Sequence, residues 1–329
     1  MFRNKTLSVF LSSVFLLALV IAGCGGSQQG AAPNTPAPAE TPSEAAAPQA
    51  AETRSIEHAM GTTEVTGTPE KVVTLFQGAT DAALALGVKP VGAVESWIEQ
   101  PWYLYIRDKM EGVTNLGSEN QPDLEGIIAL QPDLIIASKT RHEAIYEQLS
   151  AIAPTVMTEE VHLWKDTLSL SAEALNKKAE EEDFLADWAK TVADFKEKMG
   201  DQLNLEVGIV DFRPDHARIV YTGFSALVLD ELGINRPTSQ QGEDWGIKLT
   251  SKENIPQMDA DLIFDQTAQR DDGRLDLRSD WTGHPLWKNL RAVANNRVFE
   301  VDAAVWNNGS GPLAAKEMVA DLYEFYGLK

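Results

Sequence analysis

The chain has 329 residues, 28 of them basic and 49 acidic, for a formal charge of −21, and it contains a single cysteine. A body this acidic is repelled by phosphate backbones and anionic lipid headgroups, which excludes nucleic acid as a partner. One cysteine excludes an internal disulfide framework and any multi-cysteine zinc or iron–sulfur site.

At the N-terminus, Arg3 and Lys5 precede an apolar run over residues 9–21 that closes on Val20-Ile21-Ala22-Gly23-Cys24. About 13 apolar residues fall short of the roughly 20 that span a bilayer. Residues 1–23 are therefore predicted to be a cleaved lipoprotein signal, with Cys24 lipidated and the mature protein extracytoplasmic, held at the cell membrane. Two or more acyl chains on one residue anchor stably. Residues 24–54, rich in Gly, Ser, Gln, Ala, Pro, Thr and Glu, lack large apolar side chains and are predicted to form a disordered tether. Its prolines, Pro33, Pro36, Pro38, Pro42 and Pro48, keep it extended. Without Arg3 and Lys5 the charge of −21 becomes −23.

In the body, a β-rich run at residues 72–76, a helical pattern at 81–87 closed by Gly87 and an apolar run at 90–94 announce a parallel α/β sheet. An approximate internal repeat follows. Asp123-Leu124-Glu125-Gly126-Ile127-Ile128 leads into Pro132-Asp133-Leu134-Ile135-Ile136, and Ser251-Lys252-Glu253-Asn254-Ile255-Pro256 leads into Ala260-Asp261-Leu262-Ile263-Phe264. Upstream, residues 227–234 echo residues 82–88. The repeat predicts two lobes of similar build, residues 55–170 and 201–329, each a small parallel sheet flanked by helices. Between them, residues 171–200 read as one helix of about 28 residues, roughly 40 Å long and a stiff hinge.

The opening His58-Ala59-Met60-Gly61-Thr62-Thr63-Glu64-Val65, with Gly67, Pro69 and Lys71-Val72-Val73, joins the lipoprotein signal, the paired Glu helices and the mid-chain helix in an ordered set. Together they resemble the substrate-binding proteins of importers for iron–siderophore complexes, haem and cobalamin. The resemblance implies an α/β fold of two Rossmann-like lobes with parallel sheets bridged by one long rigid α-helix. It also implies a monomer that holds cargo between the lobes and delivers it to an ABC permease dimer driven by a cytoplasmic ATPase. Glu125 and Glu253 match the carboxylates that this family sets on top of each lobe to meet permease arginines, a pairing that fixes orientation and speeds encounter. No enzymatic activity, resident cofactor or protein-bound metal is expected; the ligand is a ferric siderophore of the citrate or hydroxamate type.

Cargo residues are sought at strand ends facing the cleft. The first lobe offers Arg141 and His142 after the strand at residues 134–137, and Trp97 after that at 91–94. The second offers Arg213, His216, Arg218 and Tyr221 around a hairpin-like connection, where Arg forks suit carboxylate or hydroxamate oxygens. Trp306, in the Gly-rich run Val305-Trp306-Asn307-Asn308-Gly309-Ser310-Gly311-Pro312, matches an aromatic that relatives place over the ligand; Trp245 and Trp102 rank behind it. Glu119 stands where relatives often carry a basic residue, which argues against the most highly charged carboxylate ligands. Four rivals are weighed, the first a direct zinc- or manganese-binding protein, which would need clustered His and carboxylate ligands that the scattered His58, His142, His162, His216 and His284 do not supply. Haem would need an axial ligand from His142, His216 or Tyr221, and cobalamin fits poorly with clustered arginines. A serine esterase would rest on Ser225 in Thr222-Gly223-Phe224-Ser225-Ala226, which reads better as a helix N-cap.

Overall fold

The computed structural model describes residues 52–267 and 278–328. The predicted signal, Cys24 and the tether up to residue 51 lie outside the described residues. An antiparallel hairpin of β1 (Thr53–His58) and β2 (Gly61–Thr66) opens the body. Thr53 and Arg54, assigned to the tether by composition, belong to this hairpin. Arg54 accounts for it, donating through Nη1 to the Gly67 carbonyl at 2.7 Å and through Nη2 to that of Ala174 at 2.9 Å.

The first lobe runs β3 (Val72–Thr74), α1 (Gln77–Ala85), β4 (Gly92–Ala93), β5 (Thr114–Asn115), a small hairpin of β6 (Gly117–Ser118) and β7 (Gln121–Pro122), α2 (Leu124–Leu130), β8 (Leu134–Ser138), α3 (Lys139–His142), α4 (Tyr146–Ile152) and β9 (Thr155–Thr158). Its sheet has the order β5-β4-β3-β8-β9 with every pair parallel. Each residue of β8 is buried, the mark of a parallel strand covered on both faces. The chain winds outward from β3 to β5 and returns beside β3 as β8, so the order reverses there and opens a crevice at the carboxyl ends of β3 and β8.

After α5 (Trp164–Leu175) and α6 (Lys178–Met199) come β10 (Val207–Phe212), β11 (Ala217–Val220), α7 (Phe224–Glu231), β12 (Gly246–Leu249), β13 (Leu262–Asp265), α8 (Ser279–Thr282), α9 (Arg291–Ala294), β14 (Val298–Glu300) and α10 (Pro312–Phe325). This second sheet, β12-β11-β10-β13-β14, is parallel from β10 to β14 and antiparallel at its other edge, where β10 and β11 form the hairpin read from sequence.

The internal repeat has a physical content. Asp133, just before β8, accepts the backbone amides of Glu70 and Lys71 at 2.8 and 2.9 Å; Asp261, just before β13, accepts that of Glu206 at 2.9 Å. Each aspartate thus fastens its strand to the chain entering the neighbouring strand. The helices α1 and α7 also end alike, on Gly87 (φ 76°) and Gly233 (φ 73°), where a left-handed turn is open to glycine without strain.

The predicted single hinge helix is two helices. Asn176 adopts φ 59° and closes α5, and α6 starts anew at Lys178. α6 has 22 residues, about 33 Å at 1.5 Å per residue. It buries Phe184, Trp188, Phe195 and Met199 along one face, while Lys177–Glu180, Lys178–Glu181 and Lys198–Asp194 pair on its flanks. Gly200 ends it. One continuous hydrophobic core runs from Phe76 and Ala82 of the first lobe through Trp164, Trp188 and Phe195 to Ile209, Phe264 and Met318. Among the described residues no helix is long and apolar enough to cross a membrane.

The floor between the lobes is held by Asp81 of α1. Fully buried, its carboxylate accepts the amides of Leu313 and Ala314 at 2.6 and 3.1 Å, in the first turn of α10, and the Tyr105 hydroxyl at 2.9 Å. A Cβ on Gly311 would come within 2.4 Å of Asp81, so only glycine lets α10 approach this closely. Burial pushes the Asp81 carboxyl up to about 7, against the pull of these three donors. Unfolded, it titrates near about 3.9. The folded state therefore holds the proton more tightly, and the associated stability is present below about pH 4 and lost as pH rises through 7. Unfolding free energies of the wild type from urea titration are expected to fall between pH 5 and pH 8. In Asp81→Asn the fall should shrink by about 3 kcal/mol; parallel curves for the two proteins would refute the assignment.

Candidate functional site

The carboxyl ends of the first sheet deliver one side of a cavity of about 250 Å³ between the lobes. Phe76, Gln77 and Gly78 follow β3, Trp97 follows β4, Glu119 lies between β6 and β7, Arg141 follows β8, and Val161 and His162 follow β9. The other side comes from Arg213 in the β10–β11 hairpin, Phe224 at the start of α7, Trp245 before β12, and Asn307, Asn308 and Ser310 ahead of α10.

Each lobe presents one arginine backed by a buried carboxylate. Arg141 Nε lies 3.0 Å from Glu119 Oε1, with the arginine side chain 35% exposed and the glutamate 4%. Arg213 meets Asp211 Oδ2 through Nε at 2.8 Å and Nη2 at 2.6 Å, with exposures of 41% and 3%. Burial pushes both carboxyls up, and the arginine beside each pulls its carboxyl back down. In such a setting the guanidinium is aimed by its partner while its remaining N–H groups stay open to a ligand. Aromatic surface surrounds the arginines: Trp97 lies 5.9 Å beneath the Arg141 guanidinium, and Trp245 meets His162 edge-on at 4.6 Å across the cleft.

Of the eight cargo residues expected from sequence, Arg141, Arg213 and Trp97 line this cavity. The others are placed elsewhere. Trp306 is fully buried, donates through Nε1 to Asp321 at 2.8 Å and packs 4.6 Å from Phe264. A π-helical turn at Ala304–Asn308 points it into the core while its neighbours Asn307 and Asn308 face the cleft. His142 is fully buried behind the site, with Nε2 on the Glu119 carbonyl at 2.8 Å and Nδ1 on the Ser138 amide at 3.3 Å. His216 is buried, pairs with Asp215 at 2.8 Å and does not line this cavity. Arg218 sits in β11 opposite Asp211. Tyr221 lines a separate polar cavity with Arg236 and Asp230.

Sequence reading passed over Phe76, Gln77, Phe224 and His162. The β3–α1 turn gave the first two a position, but nothing in composition marks them as cleft residues. Glu119, noted from sequence as an acidic group where relatives often carry a basic one, is paired inside the site with Arg141. Ser225, the esterase candidate, is buried in the first turn of α7 and donates to Gln266 Oε1 at 2.8 Å, so it neither caps the helix nor faces the cleft.

The periplasmic binding protein family model matches residues 72–305, which takes in both lobes and the connecting helices. The chain belongs to the periplasmic binding protein family. Members of this class bind substrate for transport and are not enzymes. The chain is 42% identical over 328 residues to the probable siderophore-binding lipoprotein YfiY of Bacillus subtilis, covering 96% of this chain and 97% of that protein. It is 38% identical to the achromobactin-binding periplasmic protein of Dickeya dadantii, over 79% of this chain and 87% of that one. Its fold matches Staphylococcus aureus SirA complexed with staphyloferrin B with a TM-score of 0.79 at 44% identity, covering 84% of this chain and 99% of SirA.

If Trp306 serves packing alone, Trp306→Phe, which keeps the ring and removes the bond to Asp321, should lower stability by about 1–2 kcal/mol. Ligand affinity should stay within about twofold. A larger loss of affinity with stability unchanged would put Trp306 back at the ligand.

Proposed function

We propose that this protein is the extracytoplasmic, lipid-anchored binding subunit of an ABC importer, and that it captures a ferric siderophore of the citrate or hydroxamate type between its lobes. The observation that carries the reading is the pair Arg141 and Arg213, one from each lobe, lining a single aromatic-lined cavity. Such forks match the paired oxygens that remain at the periphery of an anionic iron chelate, and aromatic faces cover its apolar parts. The names of the relatives agree, since SirA was crystallised with staphyloferrin B and YfiY is described as siderophore-binding. Haem or cobalamin is the alternative within the same class, with His162 as the imidazole lining the cleft.

Delivery to a permease dimer with its cytoplasmic ATPase, by a monomer tethered through Cys24, completes the reading. Glu125 and Glu253 support it. The helix N-termini that these carboxylates might have capped are capped by others: Asp123 accepts the Gly126 amide at 3.0 Å, and Ser251 accepts the Glu253 amide at 3.3 Å. Both glutamates are exposed and form no ion pair among the described residues, which leaves them available to a partner's cations.

The chain has eight tryptophans, so quenching of their fluorescence reports binding. Titration with ferric citrate, ferric staphyloferrin B, a ferric trihydroxamate, a ferric catecholate, haem and cobalamin should show tight binding to a citrate- or hydroxamate-type complex. Arg213→Ala should weaken it by about tenfold. Binding of haem or cobalamin alone would sink the cargo assignment. In cells, the double variant Glu125→Ala/Glu253→Ala should cut uptake of radioiron cargo by about tenfold or more while the purified protein's affinity is unchanged; full uptake would dismiss the docking role.

A further inference from the structure

Arg141 is not free to choose where it points. Glu119, 4% exposed, takes Arg141 Nε on Oε1 at 3.0 Å. Its other oxygen, Oε2, accepts the Trp97 indole N–H at 3.3 Å and the Gln77 amide at 3.3 Å, the latter in the first turn of α1. One carboxylate therefore gathers three residues of the cavity wall, each from a different strand end of the first lobe. Trp97 in turn stacks beneath the Arg141 guanidinium at 5.9 Å.

The support extends one layer deeper. The imidazole of His142 accepts the Ser138 amide on Nδ1 and so carries its proton on Nε2, which donates to the Glu119 carbonyl oxygen. Burial holds the His142 pKa below its ordinary value, which keeps this tautomer neutral. The backbone that carries Glu119 is thereby fixed from behind while its side chain reaches forward into the cleft.

A guanidinium has five N–H groups in a rigid fork, and an anchor at Nε fixes the plane of that fork so that its end pair, one N–H from each Nη, points away from the anchor. A free surface arginine would have to lose its rotamer freedom when cargo binds; an anchored one has lost it already. The same anchor balances the arginine's charge, so recognition rests on direction more than on net attraction.

We infer that Glu119 is a positioning residue for cargo binding: it clamps Arg141 through Nε and Trp97 through its indole N–H so that the Nη groups of Arg141 meet the oxygens of the ferric complex. This rests on the proposed function, because it names how that site recognises its ligand.

The test is a double-mutant cycle on the purified protein, with ferric staphyloferrin B and ferric citrate as probes and tryptophan quenching as readout. Arg141→Ala should weaken binding by about thirtyfold, and Glu119→Gln, which keeps the shape and removes the charge, by about tenfold. The decisive quantity is their combination. If Glu119 acts through Arg141, the double variant binds no more than about twofold worse than Arg141→Ala alone; additive losses would assign Glu119 a general structural role and overturn the inference. Arg141→Lys provides an arm independent of how Glu119→Gln folds. Lysine keeps the charge but cannot bond Glu119 and ligand through one rigid fork, so its loss should come within about threefold of that of Arg141→Ala. Affinity retained in Arg141→Lys would overturn the clamp. A wild type that binds neither probe nor a ferric trihydroxamate would instead remove the cargo reading on which the inference stands.

Discussion

A carboxylate with no access to water joins the two lobes. Asp81 sits on the helix that follows the central strand of the first sheet, and it grips the first turn of the last helix of the chain. The helix end supplies unpaired amides and a positive dipole, the two things that a buried carboxylate needs. Because the residues just ahead of that turn, Asn307, Asn308 and Ser310, line the cavity, the same contact sets where the cleft floor lies relative to Gln77 and Gly78. The shared core beneath it, running through Trp164, Trp188 and Phe195, leaves the lobes little freedom to hinge.

On that fixed floor, the charged walls of the cleft are built by pairing. Each lobe places a buried acid behind a half-exposed arginine, Glu119 behind Arg141 and Asp211 behind Arg213. A protein with a strong net negative charge thus sets two cations at its cleft without gathering a bare positive cluster, whose members would repel one another. Aromatic rings at Phe76, Trp97, Phe224 and Trp245 line the walls between them.

Much of the architecture was legible because it repeats. Two copies of an acidic helix start followed by an aspartate and a buried strand specify two sheets, and Asp133 and Asp261 show why the aspartate recurs: each ties a strand to its neighbour's entry. The hinge was legible as helical and mistaken as continuous, since the break at Asn176 depends on a left-handed residue that periodicity does not reveal. Arg141, Arg213 and Trp97 could be placed on the cavity wall because residues beyond parallel strand ends face the crevice. Trp306 was assigned to the right loop and the wrong face, because a π-helical turn set its direction.

By itself, then, the sequence determined the α/β class, the two-lobed plan and the segments from which the cleft is made, all of which follow from local periodicity and its repetition. It marked Glu125 and Glu253 by position in that repeat. Only the tertiary structure decided which side chains converge: that Glu119 lies under Arg141 and Trp97, that His142 stands behind the site, and that Asp81 meets the amides of α10, more than two hundred residues away in sequence. Composition and spacing carry no information on such meetings, because they depend on the packing of separate elements and on the face to which each side chain is turned.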